Sequence, residues 1–215
     1  MADLVLPAPV ASRRFSVLLG GLFALLLIAP LFGESARGQG ELGVLFSFLI
    51  IGFVIAAQRR KRVVAGIALL WLAATWAVPT GEIVSDLLLL LLCLLTIESL
   101  LVHVARARTV DTEVLAAAIG AYLLIGIGWA VGYTMLETIV PGSFHLSETE
   151  AAAPWNPLLY FSFATLTTVG YGDLTPASLT ARAWAAVEAV GGTLYLAILI
   201  ARLVSLYRST ETASP

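Results

Sequence analysis

The chain has 215 residues, of which 60% are hydrophobic and 12% are charged, and its mean hydropathy is +0.96. Soluble domains have ~45–50% apolar and ~25% charged residues, so this composition excludes a soluble domain and indicates an integral membrane protein. The formal net charge of −2, with basic residues placed between apolar stretches, argues against a nucleic-acid partner. With one cysteine, Cys93, the chain cannot form an intramolecular disulfide.

Six apolar stretches are long enough, or nearly so, to cross a membrane as helices, which takes ~17–25 residues. They are residues 15–32, 42–57, 63–78, 83–104, 114–137 and 181–207. The second and third are short, and they span only if their polar ends reach the interface or the bilayer thins. A seventh stretch, residues 157–167, is too short to span. The chain is therefore predicted to be an all-α membrane protein with six transmembrane helices and one re-entrant pore helix.

The basic residues fall on one side of this predicted topology. They precede the first stretch, join the second to the third, follow the fourth and end the last: Arg13, Arg14, Arg59, Arg60, Lys61, Arg62, Arg106, Arg108, Arg202 and Arg208. The loops on the other side contain one basic residue, Arg37. Because basic loops stay in the cytoplasm, both termini are predicted to be cytoplasmic in a multi-pass protein of the cell membrane.

The residues before and within the seventh stretch predict its helix. Asn156 is a favourable N-cap, and Pro157 suits the first helical position, so the helix is expected to end near Thr167. Its C-terminal end carries partial negative charge, which favours a cation beyond it. The rings of Tyr160, Phe161 and Phe163 are expected to form an aromatic cuff around the segment that follows.

That following segment, residues 167–173, reads Thr-Thr-Val-Gly-Tyr-Gly-Asp and is the most informative motif of the chain. Its two glycines tolerate positive φ, so their alternation with larger residues can turn successive carbonyls toward one axis. Carbonyl oxygens bind K⁺ by replacing its hydration shell, and Thr-Val-Gly-Tyr-Gly is the sequence of potassium selectivity filters. On these residues the chain resembles the potassium channel family, of the bacterial six-transmembrane type.

The resemblance implies roles for individual residues. The implied filter residues are Thr168, Val169, Gly170, Tyr171 and Gly172, with K⁺ bound at the first four of them. Thr168 contributes both its hydroxyl and its carbonyl to the innermost ion site. The residues expected to support the filter are Thr167, Asp173, Tyr160 and Phe161. Some related bacterial channels have a glutamate where this chain has Ala164, so their glutamate–aspartate contact behind the filter is absent here. No cofactor is implied besides the permeant ion.

The last stretch contains the candidates for a gate: Gly191, Gly192 and Glu188. In the family that the chain resembles, a glycine at the depth of Gly192 is a hinge, and close helix packing is the alternative explanation for a small residue there. Glu188 is an ionisable residue within a predicted span, which is costly and indicates a function. It is expected either to bind a donor behind the filter or to face the cavity.

One filter per chain implies that several chains build the pore. Potassium filters consist of four loops around the ion, and closed rings of identical chains are symmetric, so a homotetramer is predicted. Residues 108–215 form the predicted pore domain. Residues 1–107 form a predicted four-helix module that resembles a voltage-sensor bundle. The fourth stretch lacks regularly spaced basic residues, so steep voltage dependence is not expected.

The expected function is passive, K⁺-selective conduction, with K⁺ and membrane lipid as partners. Two alternatives remain: a non-conducting regulatory channel subunit, and a subunit of a K⁺ transporter. No nucleophile–base pair, phosphate-binding loop or metal-ligand cluster stands out in the sequence, so enzymatic activity is not expected. The short polar end after Tyr207 leads us to expect no attached ligand-binding domain.

Overall fold

The computed structural model describes residues 14–32, 82–147 and 156–211. These residues form five helices and two short strands: α1 (Arg14–Phe32), α2 (Glu82–Arg106), α3 (Thr112–Ile139), β1 (Phe144–His145), α4 (Pro157–Leu166), β2 (Thr175–Pro176) and α5 (Leu179–Glu211). We call α3 the outer helix, α4 the pore helix and α5 the inner helix. The predicted stretches 42–57 and 63–78 lie outside the described residues, and the other five predicted stretches are helical.

Three helices of the described part are long and apolar enough to cross a membrane. They are Ile83–Arg106 in α2, Thr112–Ile139 in the outer helix and Leu179–Ser205 in the inner helix. The segment Phe15–Ala24 of α1 is a shorter apolar helix. The described chain is therefore mostly helical and compatible with a membrane.

The hydrophobic core lies between α1, α2 and the outer helix, which presents small residues to its neighbours. Ala117 and Ala121 of the outer helix are fully buried, as are Leu92 and Cys93 of α2. Small residues let helix backbones approach closely, and this is a common basis of helix packing in membranes. Of the most apolar 18-residue segment of each helix, 72% is buried in the outer helix but only 11% in the inner helix. The described part of the chain therefore leaves the inner helix largely uncovered.

Two acidic side chains at the start of the outer helix stabilise the N-termini of the outer helix and of α1. Asp111 is its N-cap, as Oδ1 accepts a 2.8 Å hydrogen bond from the Val114 amide. The buried carboxylate of Glu113 accepts hydrogen bonds from the Phe15 amide (2.9 Å), the Ser16 amide (3.2 Å) and the Ser16 hydroxyl (2.6 Å). Because the first amides of a helix lack partners within that helix, Glu113 stabilises the N-terminus of α1 and attaches it to the outer helix.

The loop after the outer helix brings the chain next to the segment that follows the predicted filter. Glu137 accepts hydrogen bonds from the amides of Gly142 (2.7 Å) and Phe144 (3.0 Å) and so closes the turn. Strands β1 and β2 then pair antiparallel, with Phe144 opposite Pro176. This pairing holds the chain that leaves the filter against the end of the outer helix.

Candidate functional site

The pore helix begins as the sequence predicts. Asn156 is its N-cap: Oδ1 accepts a 2.9 Å hydrogen bond from the Leu158 amide, and Pro157 occupies the first turn. The Asn156 amide group also donates a 2.8 Å hydrogen bond to the Thr134 hydroxyl of the outer helix. The cap therefore sets both where the pore helix starts and where that start is attached.

The other end of the pore helix bonds directly to the backbone of residues 168–172, the predicted filter, which we call the filter below. Thr167 is the C-cap, and its amide and hydroxyl both donate to the Phe163 carbonyl, at 3.1 and 2.6 Å. The Ala164 carbonyl accepts from the amides of Val169 (2.9 Å) and Gly170 (3.1 Å). Carbonyls of a helix end need such partners, so the first filter residues complete the helix and are held at its end.

The sign of the backbone angle φ alternates along residues 168–172. Thr168, Gly170 and Gly172 have φ of 59°, 54° and 82°, and positive φ is not found at Val169 or Tyr171 between them. Glycine adopts positive φ readily, whereas a β-branched residue such as threonine seldom does. Backbone strain of this kind concentrates at functional sites. Alternation along five residues turns successive peptide groups so that their carbonyls can face one side.

Residues 168–172 and most of the inner helix are exposed in the described chain. The side chains of Val169 and Tyr171 are 52% and 73% exposed. Apolar side chains along the inner helix are exposed as well: Val187, Val190, Leu194, Ile198, Ile200 and Val204. Large contiguous apolar surfaces of this kind mark contacts with membrane or with other proteins.

Tyr160 and Asp173 join the pore helix to the outer end of the filter. The Tyr160 hydroxyl donates a 2.7 Å hydrogen bond to Oδ2 of Asp173, and the Tyr160 ring stacks on the Tyr171 ring with centroids 6.2 Å apart. The hydrogen bond from Tyr160 lowers the pKa of the Asp173 carboxyl below its usual value. The Leu174 amide donates to the other oxygen, Oδ1, at 2.9 Å.

Phe161 differs from its expected position in the aromatic cuff. Its buried ring contacts the rings of Tyr133 and Phe144, each at a centroid distance of 5.2 Å. Phe163 in turn lies against Gly126 of the outer helix. Successive helical residues point about 100° apart, so neighbouring aromatic residues cannot all face the filter. In the described chain Phe161 and Phe163 therefore contact the outer helix, and the cuff of three rings stays a prediction.

Glu188 lies behind the pore helix and is fully buried. The hydroxyl of Tyr133, on the outer helix, donates a 2.6 Å hydrogen bond to Glu188 Oε2. The hydroxyl of Ser162, on the pore helix, lies 2.5 Å from Glu188 Oε1. Of its two expected positions, Glu188 therefore has the one behind the filter. Sequence reasoning missed Tyr133 and Ser162, whose only signal is a polar group in an apolar helix.

The two glycines predicted to lie at a gate, Gly191 and Gly192, have different surroundings. A Cβ atom on Gly192 would collide with the Leu166 carbonyl oxygen and lie 2.9 Å from Leu166 Cδ1, whereas nothing lies within 4 Å of a Cβ on Gly191. The Leu166 carbonyl also accepts a 3.2 Å hydrogen bond from the Tyr122 hydroxyl. Gly192 thus lets the inner helix approach the end of the pore helix, while its hinge role stays a prediction.

The far end of the inner helix is attached to α2. The Arg202 guanidinium donates from one nitrogen to the carbonyls of Ala105 (2.9 Å) and Ala107 (3.2 Å). The last carbonyls of a helix carry partial negative charge and lack helical partners. Arg202 therefore stabilises the C-terminus of α2 and links it to the inner helix.

Comparisons with known proteins point to the same region of the chain. A family model described as "Ion channel" matches residues 121–209, which contain the filter, the pore helix and most of the outer and inner helices. The two pore potassium channel c of Oryza sativa subsp. japonica is 34% identical over 93 residues. That match covers 42% of this chain but only 19% of the relative. The two matches support a potassium channel family, and the ion channel match together with the long apolar helices suggests a membrane protein.

Proposed function

We propose that the chain is one subunit of a homotetrameric, K⁺-selective channel whose filter is formed by Thr168, Val169, Gly170, Tyr171 and Gly172. The observation that carries the proposal is the positive φ at residues 168, 170 and 172, within a sequence suited to K⁺. An ordinary turn does not require five residues whose φ alternates in sign, beginning with a threonine at positive φ. The proposed activity is passive conduction, and it is not enzymatic.

Conduction follows from the chemistry of the carbonyl groups. Dehydrated K⁺ would bind at Thr168, Val169, Gly170 and Tyr171, where oxygens replace its water and neighbouring ions repel each other forward. The pore helix ends at Leu166, so its negative C-terminal end lies next to the innermost site. This field would stabilise an entering cation without binding it so tightly that it cannot leave. No cofactor is required.

The tetramer is supported by the surfaces that one chain leaves open. A chain has one filter, whereas a ring of carbonyls needs four. The exposed side chains of Val169 and Tyr171 and the largely uncovered inner helix would both be covered by neighbouring subunits and lipid. The packing of α2 on the outer helix of the same chain favours subunits that keep their own module, without exchange.

Gating is proposed to be at most weakly dependent on voltage. Charges that sense voltage must lie within the membrane field, and the basic residues of α2 are His103 and Arg106, both in its last turn. We place both termini in the cytoplasm, as the basic loops indicate. The proposed units are the module of residues 1–107 and the pore domain of residues 108–215.

A regulatory subunit and a transporter subunit are the competing functions. A regulatory subunit does not require positive φ at alternate residues of this segment, and residues 168, 170 and 172 have it. Transporter subunits of this kind usually carry several less faithful filters in one chain, whereas this chain contains one intact Thr-Val-Gly-Tyr-Gly sequence. Both features favour the channel.

The reversal potential tests this proposal directly. The purified protein is reconstituted in a planar bilayer with K⁺ on one side and Na⁺ on the other. A reversal potential near the K⁺ limit is expected, and one near zero would contradict K⁺ selectivity. If no current flows at any voltage, barium-sensitive K⁺ flux into liposomes separates a closed channel from a non-conducting subunit.

A further inference from the structure

A buried polar cluster joins three helices behind the filter. Its members are Glu188 of the inner helix, Ser162 of the pore helix, and Tyr133 and Gly126 of the outer helix. The side chains of Glu188, Ser162 and Tyr133 have no exposed surface. The contacts are Tyr133 hydroxyl to Glu188 Oε2 at 2.6 Å, Ser162 hydroxyl to Glu188 Oε1 at 2.5 Å, and Ser162 hydroxyl to the Gly126 carbonyl at 2.7 Å.

These three contacts need three hydrogen atoms. The hydroxyls of Tyr133 and Ser162 supply one each, and the Gly126 carbonyl supplies none. The Tyr133 hydrogen serves the contact with Glu188 Oε2, and the Ser162 hydrogen can serve only one of its two contacts. If Ser162 donates to Gly126, the remaining hydrogen must come from Glu188 itself. A carboxylic acid has that hydrogen, whereas a carboxylate does not.

The surroundings of Glu188 also favour the uncharged form. In the described part of the chain, its hydrogen-bond partners are two hydroxyl groups, and no cation is among them. An ionised carboxylate away from water is costly unless it is paired with an opposite charge. If Glu188 is a neutral acid that donates one hydrogen bond and accepts another, every polar group of the cluster has a hydrogen-bond partner.

The contact of Glu188 with the pore helix and the contact of Gly192 with the pore helix have the same four-residue spacing on both helices. On the inner helix, Glu188 and Gly192 are four residues apart and lie on one face, as do Ser162 and Leu166 on the pore helix. Glu188 contacts Ser162, and Gly192 lies against Leu166. Two contacts with the same spacing fix both the rotation of the pore helix and its position along the inner helix.

We propose that Glu188 is a positioning residue for the filter, which acts as a neutral hydrogen-bonding group rather than through charge. By holding Ser162, it sets the rotation of the pore helix, whose Ala164 carbonyl in turn holds the amides of Val169 and Gly170. Loss of the cluster would let these filter residues move. This inference rests on the proposed function of a K⁺-selective channel.

The test compares Glu188→Gln with Glu188→Leu in the bilayer experiment. A glutamine donates to Ser162 and accepts from Tyr133, so Glu188→Gln should keep the K⁺-to-Na⁺ permeability ratio within about twofold. Glu188→Leu removes the contact of both hydroxyls with residue 188 and leaves that of Tyr133 without this acceptor, so we expect the permeability ratio to fall about tenfold, the scale of one lost buried hydrogen bond. Glu98→Leu, the same change on α2, is the matched control and should leave the ratio unchanged.

Each outcome of this test has a single interpretation. If the wild-type protein shows no K⁺ selectivity, the proposed function fails. If the wild-type protein is selective and Glu188→Leu is equally selective, the inference on Glu188 is wrong. Loss of selectivity in an assembled Glu188→Gln channel would show that the charge is needed and would overturn the neutral form. Tetramer content by size-exclusion chromatography separates these results from misfolding.

Two further measurements apply if Glu188→Leu does not assemble. Ser162→Ala removes one hydroxyl and leaves the packing nearly intact, and a lowered permeability ratio is expected; an unchanged ratio would overturn the positioning role. The infrared difference spectrum between wild type and Glu188→Gln should contain the carbonyl stretch of a protonated carboxylic acid. Carboxylate bands in its place would contradict the neutral form.

Discussion

The hydroxyl of Tyr160 and the carboxylate of Asp173 form a 2.7 Å hydrogen bond across 13 residues of sequence. It joins the pore helix to the segment that leaves the filter, and the Tyr160 ring stacks on Tyr171 beside it. The two ends of the filter are therefore attached to the same helix: the inner end through Ala164 and the outer end through Tyr160.

Tyr160→Phe keeps the ring but removes this bond. Hydrogen bonds to charged acceptors are stronger than those between neutral groups, and exposure to solvent weakens them. We therefore expect a selective channel whose conduction decays several-fold faster during sustained opening, because the outer end of the filter is held less firmly. Single-channel recordings measure this decay. Tyr207→Phe, at the far end of the inner helix, is the control, and an equal effect of both changes would contradict the role of Tyr160.

Acid should break the same contact. Because the hydrogen bond from Tyr160 lowers the pKa of Asp173, its stabilisation is complete above the ordinary pKa of ~3.9 and is lost as the pH falls through the lowered value. Current measured while the solution at the filter's outer end is acidified should fall in that range. In Tyr160→Phe the midpoint should rise toward ~3.9. Identical midpoints in the two proteins would be inconsistent with this linkage.

Gly170→Ala should abolish K⁺ conduction. Gly170 has φ of 54°, and holding an L-residue there costs about 1–2 kcal/mol, repeated in each subunit of the proposed tetramer. No atom lies within 4 Å of the added Cβ, so the effect is conformational and not a collision. Gly142→Ala is a matched control, since Gly142 has φ of 81°, is equally open and lies in the outer loop. Unchanged selective current in Gly170→Ala would refute the filter assignment.

The two gate glycines should respond differently to alanine. Gly192→Ala places a Cβ against the Leu166 carbonyl, so the pore helix or the inner helix must shift. Overpacking of this kind costs about 1–3 kcal/mol. Thermal unfolding in detergent should therefore show a destabilised protein. Gly191→Ala meets nothing within 4 Å and should leave the melting temperature unchanged. Equal melting temperatures for both variants would argue against the close packing of Gly192.

Arg106→Gln should leave any voltage response nearly unchanged. Arg106 is in the last turn of α2 and is exposed, at the end of the apolar segment. A charge at that position crosses little of the membrane field and so contributes little gating charge. Current–voltage curves of both proteins should overlap. A large shift of the activation curve would show that α2 senses voltage.

Local sequence signals predicted the pore helix well, whereas the filter stays a prediction. The N-caps Asn156 and Asp111 are confirmed because an N-cap contacts amides only two or three residues away. The contacts of Phe161 with Tyr133 and Phe144 were not predicted, because they depend on how the pore helix is rotated against its neighbours. Tyr133 and Ser162 went unnoticed because they contact Glu188 across 55 and 26 residues.

The sequence by itself determined the membrane class, the position of the pore helix and the alternation of glycines that suits a carbonyl filter. These are matters of composition, hydrophobic length and the φ preference of single residues, which do not depend on distant partners. Only the tertiary structure decided that Glu188 lies behind the filter, that Gly192 lies against Leu166, and that Arg202 meets the end of α2. Each depends on the rotation and depth of packed helices, because a polar group on an apolar helix can face several directions until its neighbours are in place.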